Sequence, residues 1–593
     1  MLAFLYRNAY VLSYMATLIN RKKGGREYTY WVRSARVNGK PRIVEQVYLG
    51  PRDRVLEEIK AAYTRGSSPG PCRLKQVNGK EFGATAFLWH WAEKLGFAQI
   101  VDRHVPPAAA GRRTRLSVGQ YLEIAAVNRG IDPKSKRALY DWYDNSVLSR
   151  LWKARSSELS SQRFWDHMDL VETEHIERIQ HDLLARLADL FPLGQETVLY
   201  DTTNFFTFID SFNTRTELAQ RGDNKQKRRD LRQISLALFE DRETGLPLYH
   251  QCYAGNQHDA TQFPVALEAI AQRWMSLESK PEQLTLVFDR GSTSSSNIGD
   301  LETRSVRYVA GVPARWVPEL LDVGLDAYRK LELPNTKHVK VHRTKRMLWK
   351  KERTLLVVFS PTFYRKQRAT LNVEQGKVEQ RLRDLEERIA AWTQTRRGKG
   401  HTEASVSRKI HQWTAREHLR EFLDVHLEIE GNHVLDLCWT WDLTKKREVQ
   451  RRYLGKQVLL TDHDDWDDVS VVAAYRRLTR TEDLFRISKS RPGVWWPMFH
   501  WTDSKIRVHA LYCFFALLLM SILRNQLRQA GLNISCERAM EQLARIQESR
   551  VVYTNGAADR VLANLDEDNH HLAEALGLLD LARQWDTTVL EPS

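Results

Sequence analysis

A chain of 593 residues is too long for one compact core, so two to four domains are expected. The formal net charge of +16 and a pI near 9.5 point to a polyanionic partner. Five cysteines, at 72, 252, 438, 513 and 536, form no CxxC pair, which argues against a disulfide framework or a zinc site and for reduced thiols in a cytoplasmic protein.

In chain order, residues 1–14 read as a start-site extension, with Met15 as the natural initiator. Residues 15–72 read as a basic N-terminal β-hairpin module. The run 27–49 alternates in strand fashion about Asn38-Gly39, a type I′ turn pair, and RKKGGR at 21–26 leads into it. Lys22 and Lys23 are candidate DNA contacts. Residues 83–195 are mostly helical and are a candidate for binding a DNA end, with a plain packing role as the alternative.

The next block, 196–312, reads β-β-β-α-β-α. A strand at 197–206 carries Asp201 in TVLYDTTNF. A hairpin pairs 233–240 with 246–253 through Thr244-Gly245. A helix at 260–274 follows, then a strand at 284–289 that closes on Asp289 in LTLVFDRGS, then a strand at 306–312. Residues 313–470 read as an insertion domain with a helical hairpin. In it Leu371, Val378, Leu382, Leu385, Ile389 and Trp392 follow 3/4 spacing, and 403–424 is the expected antiparallel partner. The segment KHVKVHRTKRMLWKKER at 337–353 interleaves cations with apolar residues, as a phosphate-tracking ribbon would, which makes Lys345 and Arg346 candidate DNA contacts. Residues 471–530 carry a third acid, Glu482, and end in HALYCFFALLLMSIL at 509–523, an apolar run short for a membrane span and suited to a buried helix. Residues 531–593 read as a helical tail.

The three acids are the candidate chemistry. Two strand-end aspartates and a helical glutamate offer the oxygen ligands that hard Mg²⁺ or Mn²⁺ takes. Two such ions about 3.5–4 Å apart hold the attacking and leaving oxygens of a phosphodiester. Tyr475, Glu482 and Lys489 are spaced by seven, which on a helix returns each side chain to within about 20° of one face. Arg290 beside Asp289, and Arg486 on the Glu482 segment, are candidate phosphate contacts. Asp259, in GNQHD, is a possible auxiliary carboxylate.

With these residues the chain resembles a bacterial insertion-sequence transposase of the DDE type, in the insertion-sequence-four-like group with a Tyr-x2-Arg-x3-Glu-x6-Lys signature. Tyr475, Glu482 and Lys489 fit that spacing, and Leu478 stands where the signature has Arg. RRDLRQISLALFEDRETGLPLYHQCYAGNQHD around 228–259, DRG at 289–291 and KIRVHALYCFFALLL at 505–519 extend the likeness over nearly the whole chain. The resemblance implies an α/β fold: an RNase H-like catalytic core, a large mixed β/helical insertion before the last acid, and an N-terminal β-hairpin and helical DNA-binding region. It implies hydrolysis at the element's ends and strand transfer into target DNA, with Asp201, Asp289 and Glu482 holding two Mg²⁺ or Mn²⁺ ions. Tyr475 and Lys489 would contact phosphate, and Trp349 and Trp439 are candidate platforms for a flipped base, with a structural role as the favoured alternative for each. The expected partner is double-stranded DNA, both transposon ends and target, bound by a homodimer at the bacterial nucleoid and not by a membrane protein. The alternatives are a catalytically silent DNA-binding derivative and a simple RNase H-like nuclease.

Overall fold

The computed structural model describes residues 16–37, 40–57, 74–107, 115–194, 197–210, 212–224, 226, 228–276, 281–333, 336–416, 418–478, 485, 495, 498–553 and 557–589. The expected start-site extension, Glu482, Arg486, Lys489 and the Asn38-Gly39 turn lie outside these residues. The chain divides into two compact units. One gathers Met1–Lys80, Gln547–Ala563 and Ala582–Ser593, and the other Glu81–Ile546 and Asn564–Leu581.

The first unit holds an antiparallel sheet of β1 (Ala16–Lys23), β2 (Arg26–Val37) and β3 (Lys40–Pro51). The sequence RKKGGR is itself a turn here. Lys23 pairs with Arg26, and Gly24 and Gly25 between them have φ of 60° and 79°, the positive values a two-residue hairpin turn needs. β4 (Leu74–Glu81) begins a second sheet.

The second unit opens with helices, among them α1 (Gly83–Leu95), α2 (Phe97–His104), α3 (Val118–Ile131) and α4 (Thr173–Leu190). A capping box between Ser117 and Gln120 starts α3. Then come β5 (Thr197–Thr207), β6 (Arg232–Asp241), β7 (Pro247–Ala254), α5 (Asp259–Ser276), β8 (Thr285–Phe288), α6 (Ser295–Thr303) and β9 (Arg307–Val312).

The segment 313–470 divides between two settings. β10 (Arg329–Leu333), β11 (Thr336–Leu348), β12 (Lys351–Phe359) and, after a long excursion, β15 (Lys456–Thr461) extend the sheet begun by β5–β9. The nine strands run in the order β10-β11-β12-β15-β9-β8-β5-β6-β7. Leu355, Val357, Val458 and Leu460 share one core with Val198, Tyr200 and Phe288, so these strands pack as one body with the acid-bearing ones.

The excursion itself holds α7 (Pro361–Thr395), α8 (Glu403–Trp413), the two-stranded sheet β13 (Leu423–Glu430) and β14 (His433–Trp441), and α9 (Leu443–Tyr453). The stripe Leu371, Val378, Leu382, Leu385 and Ile389 is buried, as its spacing predicts. The expected helical hairpin forms in part, with Val406 of α8 packed in the same cluster as the stripe. The partner helix stops at Trp413, and the stripe also packs on Val434 and Leu437 of β14. The sequence 423–430 alternates Leu, Val, Leu, Ile with polar residues, a strand period that outweighs the helical reading of 403–424.

α10 (Asp468–Arg476) and α11 (Asp503–Gln529) complete this unit's core. α11 is apolar and long enough to cross a membrane by length and composition, yet its most apolar window is 94% buried within the fold. Its Phe515 stacks on Phe97 of α2 at 3.7 Å, and Phe514 on His250 of β7 at 4.7 Å. The expected helical tail at 531–593 also holds strands. β16 (Gln547–Tyr553) and β17 (Ala558–Ala563) form a hairpin that joins β4, with the short β18 (Thr588–Val589) alongside β17.

Candidate active site

The two aspartates meet through strand register. β5 and β8 are adjacent and parallel, with Tyr200 opposite Phe288. Asp201 and Asp289 each follow by one residue, so their backbones stand side by side, about 4.8 Å apart in the hydrogen-bonding direction. Alternation then sets their direction. Leu199, Val287 and Val309 lie on the sheet face covered by Val471, Val472 and Ala474 of α10. Asp201, Asp289 and Gly311 each follow two residues later, on the same face.

Local hydrogen bonds fix both acids. The Thr202 amide donates to Asp201 Oδ1 at 2.8 Å, and the Gly291 amide to Asp289 Oδ1 at 2.9 Å. The loop after Asp289 is tied on two sides. Thr293 Oγ1 donates to the Gly311 carbonyl at 2.8 Å. The buried Asn297 amide donates to the carbonyls of Ser292, at 2.7 Å, and Ala260, at 3.0 Å.

Tyr475 closes this face. A Cβ at position 311 would overlap its hydroxyl oxygen and come within 3.1 Å of the Arg290 amide nitrogen, so glycine is required there. Burial pushes the Tyr475 hydroxyl's ionisation upward. Asp289 and then Asp201 push it further, and Arg290 opposes them. The structure therefore brings Tyr475, Asp289, Asp201 and Arg290 together. Leu478 is 7% exposed and belongs to the same apolar cluster as Val471, which explains why this position does not carry the signature's arginine.

Asp259 opens α5 and accepts a hydrogen bond from the Tyr253 hydroxyl at 2.6 Å. The buried Tyr200 hydroxyl feels the charge of all three aspartates. Burial raises it most, then Asp259, Asp201 and Asp289 in that order. A cleft of about 550 Å³ ends at Asp259, with Asn204, Arg221, Arg229 and His258 among its walls. Gly255 sits there because a Cβ would overlap the Gln233 carbonyl. The larger cavity, about 1040 Å³ between Glu177, Tyr249 and Arg273, contains none of the expected residues.

Other expected residues lie apart from the acids. β11 is four strands from β8, which places Lys345 and Arg346 roughly 19 Å away across the sheet. Lys345 is held by Asp464 at 2.6 Å, and exposed Arg346 donates to the Lys345 carbonyl at 3.0 Å. Trp349 and Lys350, with φ of 55° and 64°, make the β11–β12 turn, and Trp349 packs edge-on against Trp316 at 5.3 Å. Trp439 packs with Trp441 on the cluster beneath α7. Lys22 and Lys23 are exposed in the first unit.

Among the described residues, no group of three His, Cys, Asp or Glu side chains is arranged to hold a metal ion. The paired aspartates supply hard oxygen donors, the chemistry a divalent cation of the Mg²⁺ type takes, and Glu482 lies outside the described residues.

Ten chains of solved structure match this fold. One is the cryo-EM structure of a piggyBac transposase synaptic complex with hairpin DNA. It is 11% identical, covers 79% of this chain and 82% of that one, and superposes with a TM-score of 0.37, too distant a likeness to carry an argument. No curated protein matches the sequence. The family model described as Transposase DDE domain matches residues 206–519, beginning just after Asp201 and spanning Asp289, Tyr475 and Glu482. That is more than half of the chain, and the protein belongs to the transposase DDE domain family.

Proposed function

We propose that this protein is the DNA transposase of a bacterial insertion sequence. It cuts phosphodiester bonds at the ends of its element and joins the freed 3′-OH ends to target DNA. The observation that carries this reading is the register of β5 against β8, which sets Asp201, within β5, beside Asp289, just past the end of β8, where the pairing of these two central parallel strands stops. The order β7-β6-β5-β8-β9, with β5–β7 antiparallel and β5, β8 and β9 parallel, supports an RNase H-like core around them.

DDE transposases generally use divalent metal ions. Here Asp201, Asp289 and Glu482 would hold two Mg²⁺ or Mn²⁺, which when bound supply charge stabilisation to the attacked phosphate. In the first step a water oxygen forms the new bond to phosphorus and the 3′-oxygen leaves as a 3′-OH. In the second, that hydroxyl attacks a target phosphodiester and displaces another 3′-oxygen. No bond to the protein forms. Tyr475, whose hydroxyl lies over Gly311, and Arg290, exposed next to Asp289, would contact phosphate oxygens. Lys489 and Arg486 are assigned the same role from the sequence. The protein would act as a homodimer on paired ends at the nucleoid.

Asp201→Asn, Asp289→Asn and Glu482→Gln test this directly. Each should lower cleavage of an end-bearing duplex by about 10²–10³-fold, the scale on which removal of a preorganised electrostatic group acts, while end binding persists. EDTA should stop the wild type and Mg²⁺ restore it. Cleavage by any of the three variants at the wild-type rate would remove that residue from the site, and full activity in excess EDTA would end the metal reading.

A further inference from the structure

The first unit's three-stranded sheet carries more than charge. Tyr30 and Tyr48 face each other across β2 and β3, with ring centroids 5.3 Å apart, and Tyr28 reaches Tyr48 at 6.0 Å. Arg21 of β1 pairs with Tyr28, which puts it on the same face, and its guanidinium lies 5.8 Å from the Tyr30 ring. Tyr48 is 54% exposed and Tyr28 and Tyr30 are half-buried, so the rings form a surface that solvent reaches and not a core. At its end, the Gly24-Gly25 turn projects Lys22, Lys23 and Arg26, all exposed. Residues 16–57 hold ten Lys or Arg against four Asp or Glu.

We propose that this sheet is a binding platform for single-stranded DNA. Bases stack on the tyrosine face, and the basic turn with Arg21 tracks the phosphates. Two features favour this occupant. The charge is complementary to a polyanion, and aromatic rings beside cations on an exposed sheet match unpaired bases, whose π-faces are hidden in a duplex. A strand with free bases arises wherever an element's end is cut and opened. The inference therefore rests on the transposase reading for its source of ligand, and on the sheet alone for its chemistry.

The experiment uses the full chain, a labelled oligothymidine single strand and a duplex of equal length. Wild type should bind the single strand, and Tyr30→Leu with Tyr48→Leu should weaken that binding about 25-fold or more, as expected when one base at each position can no longer stack. Tyr30→Phe with Tyr48→Phe keeps both rings and should bind like the wild type. Duplex affinity should change little in either double variant. A single strand carrying 5-iodouracil, photocrosslinked to the unmutated protein, should map to Tyr28, Tyr30 or Tyr48. Crosslinks found only elsewhere, or wild-type single-strand affinity in the folded leucine variant, would overturn the platform. Asp201→Asn separates this from the catalytic reading. It should cut nothing and still bind the single strand through the tyrosines.

Discussion

Two hairpins in this molecule are dense in cations, and their surroundings differ. In β11–β12 four of the cations are paired with carboxylates inside the chain. Arg343 reaches Asp468 at 3.3 Å, Lys345 reaches Asp464 at 2.6 Å, Lys351 reaches Glu302 at 3.1 Å, and Arg353 pairs with Glu302 and the Tyr308 hydroxyl. Around the β1–β2 turn the contrast is plain. Glu27 is the carboxylate beside the cations, 3.9 Å from Lys22 and 2.7 Å from Arg52, while Arg21 lies over a ring. Both stretches look alike as strings of Lys and Arg. What separates them is where the carboxylates fall in space, more than a hundred residues away in sequence for Asp464 and Asp468. Charge density along a chain therefore predicts a polyanion surface only where folding leaves the charge uncompensated.

The largest test of this contrast is on stability. Asp468 is 3% exposed on its side chain and is gripped by Arg329 and Arg343. Asp468→Ala should destabilise the protein by about 3 kcal/mol, the lower end for removing one partner of a buried pair, because Arg343 is left half-buried without its carboxylate. Chemical denaturation would measure it. A loss below about 0.5 kcal/mol would mean that these charges are not structural, since exposed pairs have that scale.

Next in size is DNA affinity. Replacing Lys22, Lys23 and Arg26 together by Gln should lower the salt slope of DNA binding by about two to three, roughly one unit for each phosphate left without its cation. The same exchange at Lys345 and Lys351, each paired with a carboxylate, should leave the slope within about half a unit. Equal losses from both hairpins in a salt titration would erase the distinction.

The smallest effect is on acid stability. Lys345 and Thr354 hold the Asp464 carboxyl below its usual range. A carboxyl depressed in the folded state adds stability above its unfolded pKa, about 3.9, and that stability is lost as pH falls through the lower folded value. Asp464→Asn should therefore cost a little stability at neutral pH and nothing at the acid end. Thermal melts of both proteins should begin to converge as pH falls below about 3.9 and coincide once it is below the lower folded value. A constant gap across the range would show that Asp464 acts by packing alone.

Much of the site could be read locally. LTLVFD announces a buried strand that ends on an acid, because a run of β-branched and aromatic residues can close on a carboxylate where the strand leaves the core. The strand-end reading of Asp201 is corrected: β5 runs on past it to Thr207 along β6. The hairpin of β6 and β7, with Gly245 at φ 71° in its turn, and the buried stripe on α7 were legible for the same reason: their periods are properties of a few consecutive residues. Gly24-Gly25 carried an equally local turn signal, which the basic residues around it obscured.

Tertiary structure decided the rest. Nothing in KQVLLT says that it pairs with β9 on one side and β12 on the other, or that 313–470 gives four strands to the sheet that holds the acids. Nothing in QESRVVY ties it to residues 74–81. Gly311 and Leu478 take their meaning from Tyr475 and from the cluster under α10, neither of which is a neighbour in sequence to Gly311. Backbone hydrogen bonds between strands are the same for every sequence. Which strand pairs with which is set by total burial across the sheet, and that quantity belongs to the folded chain as a whole.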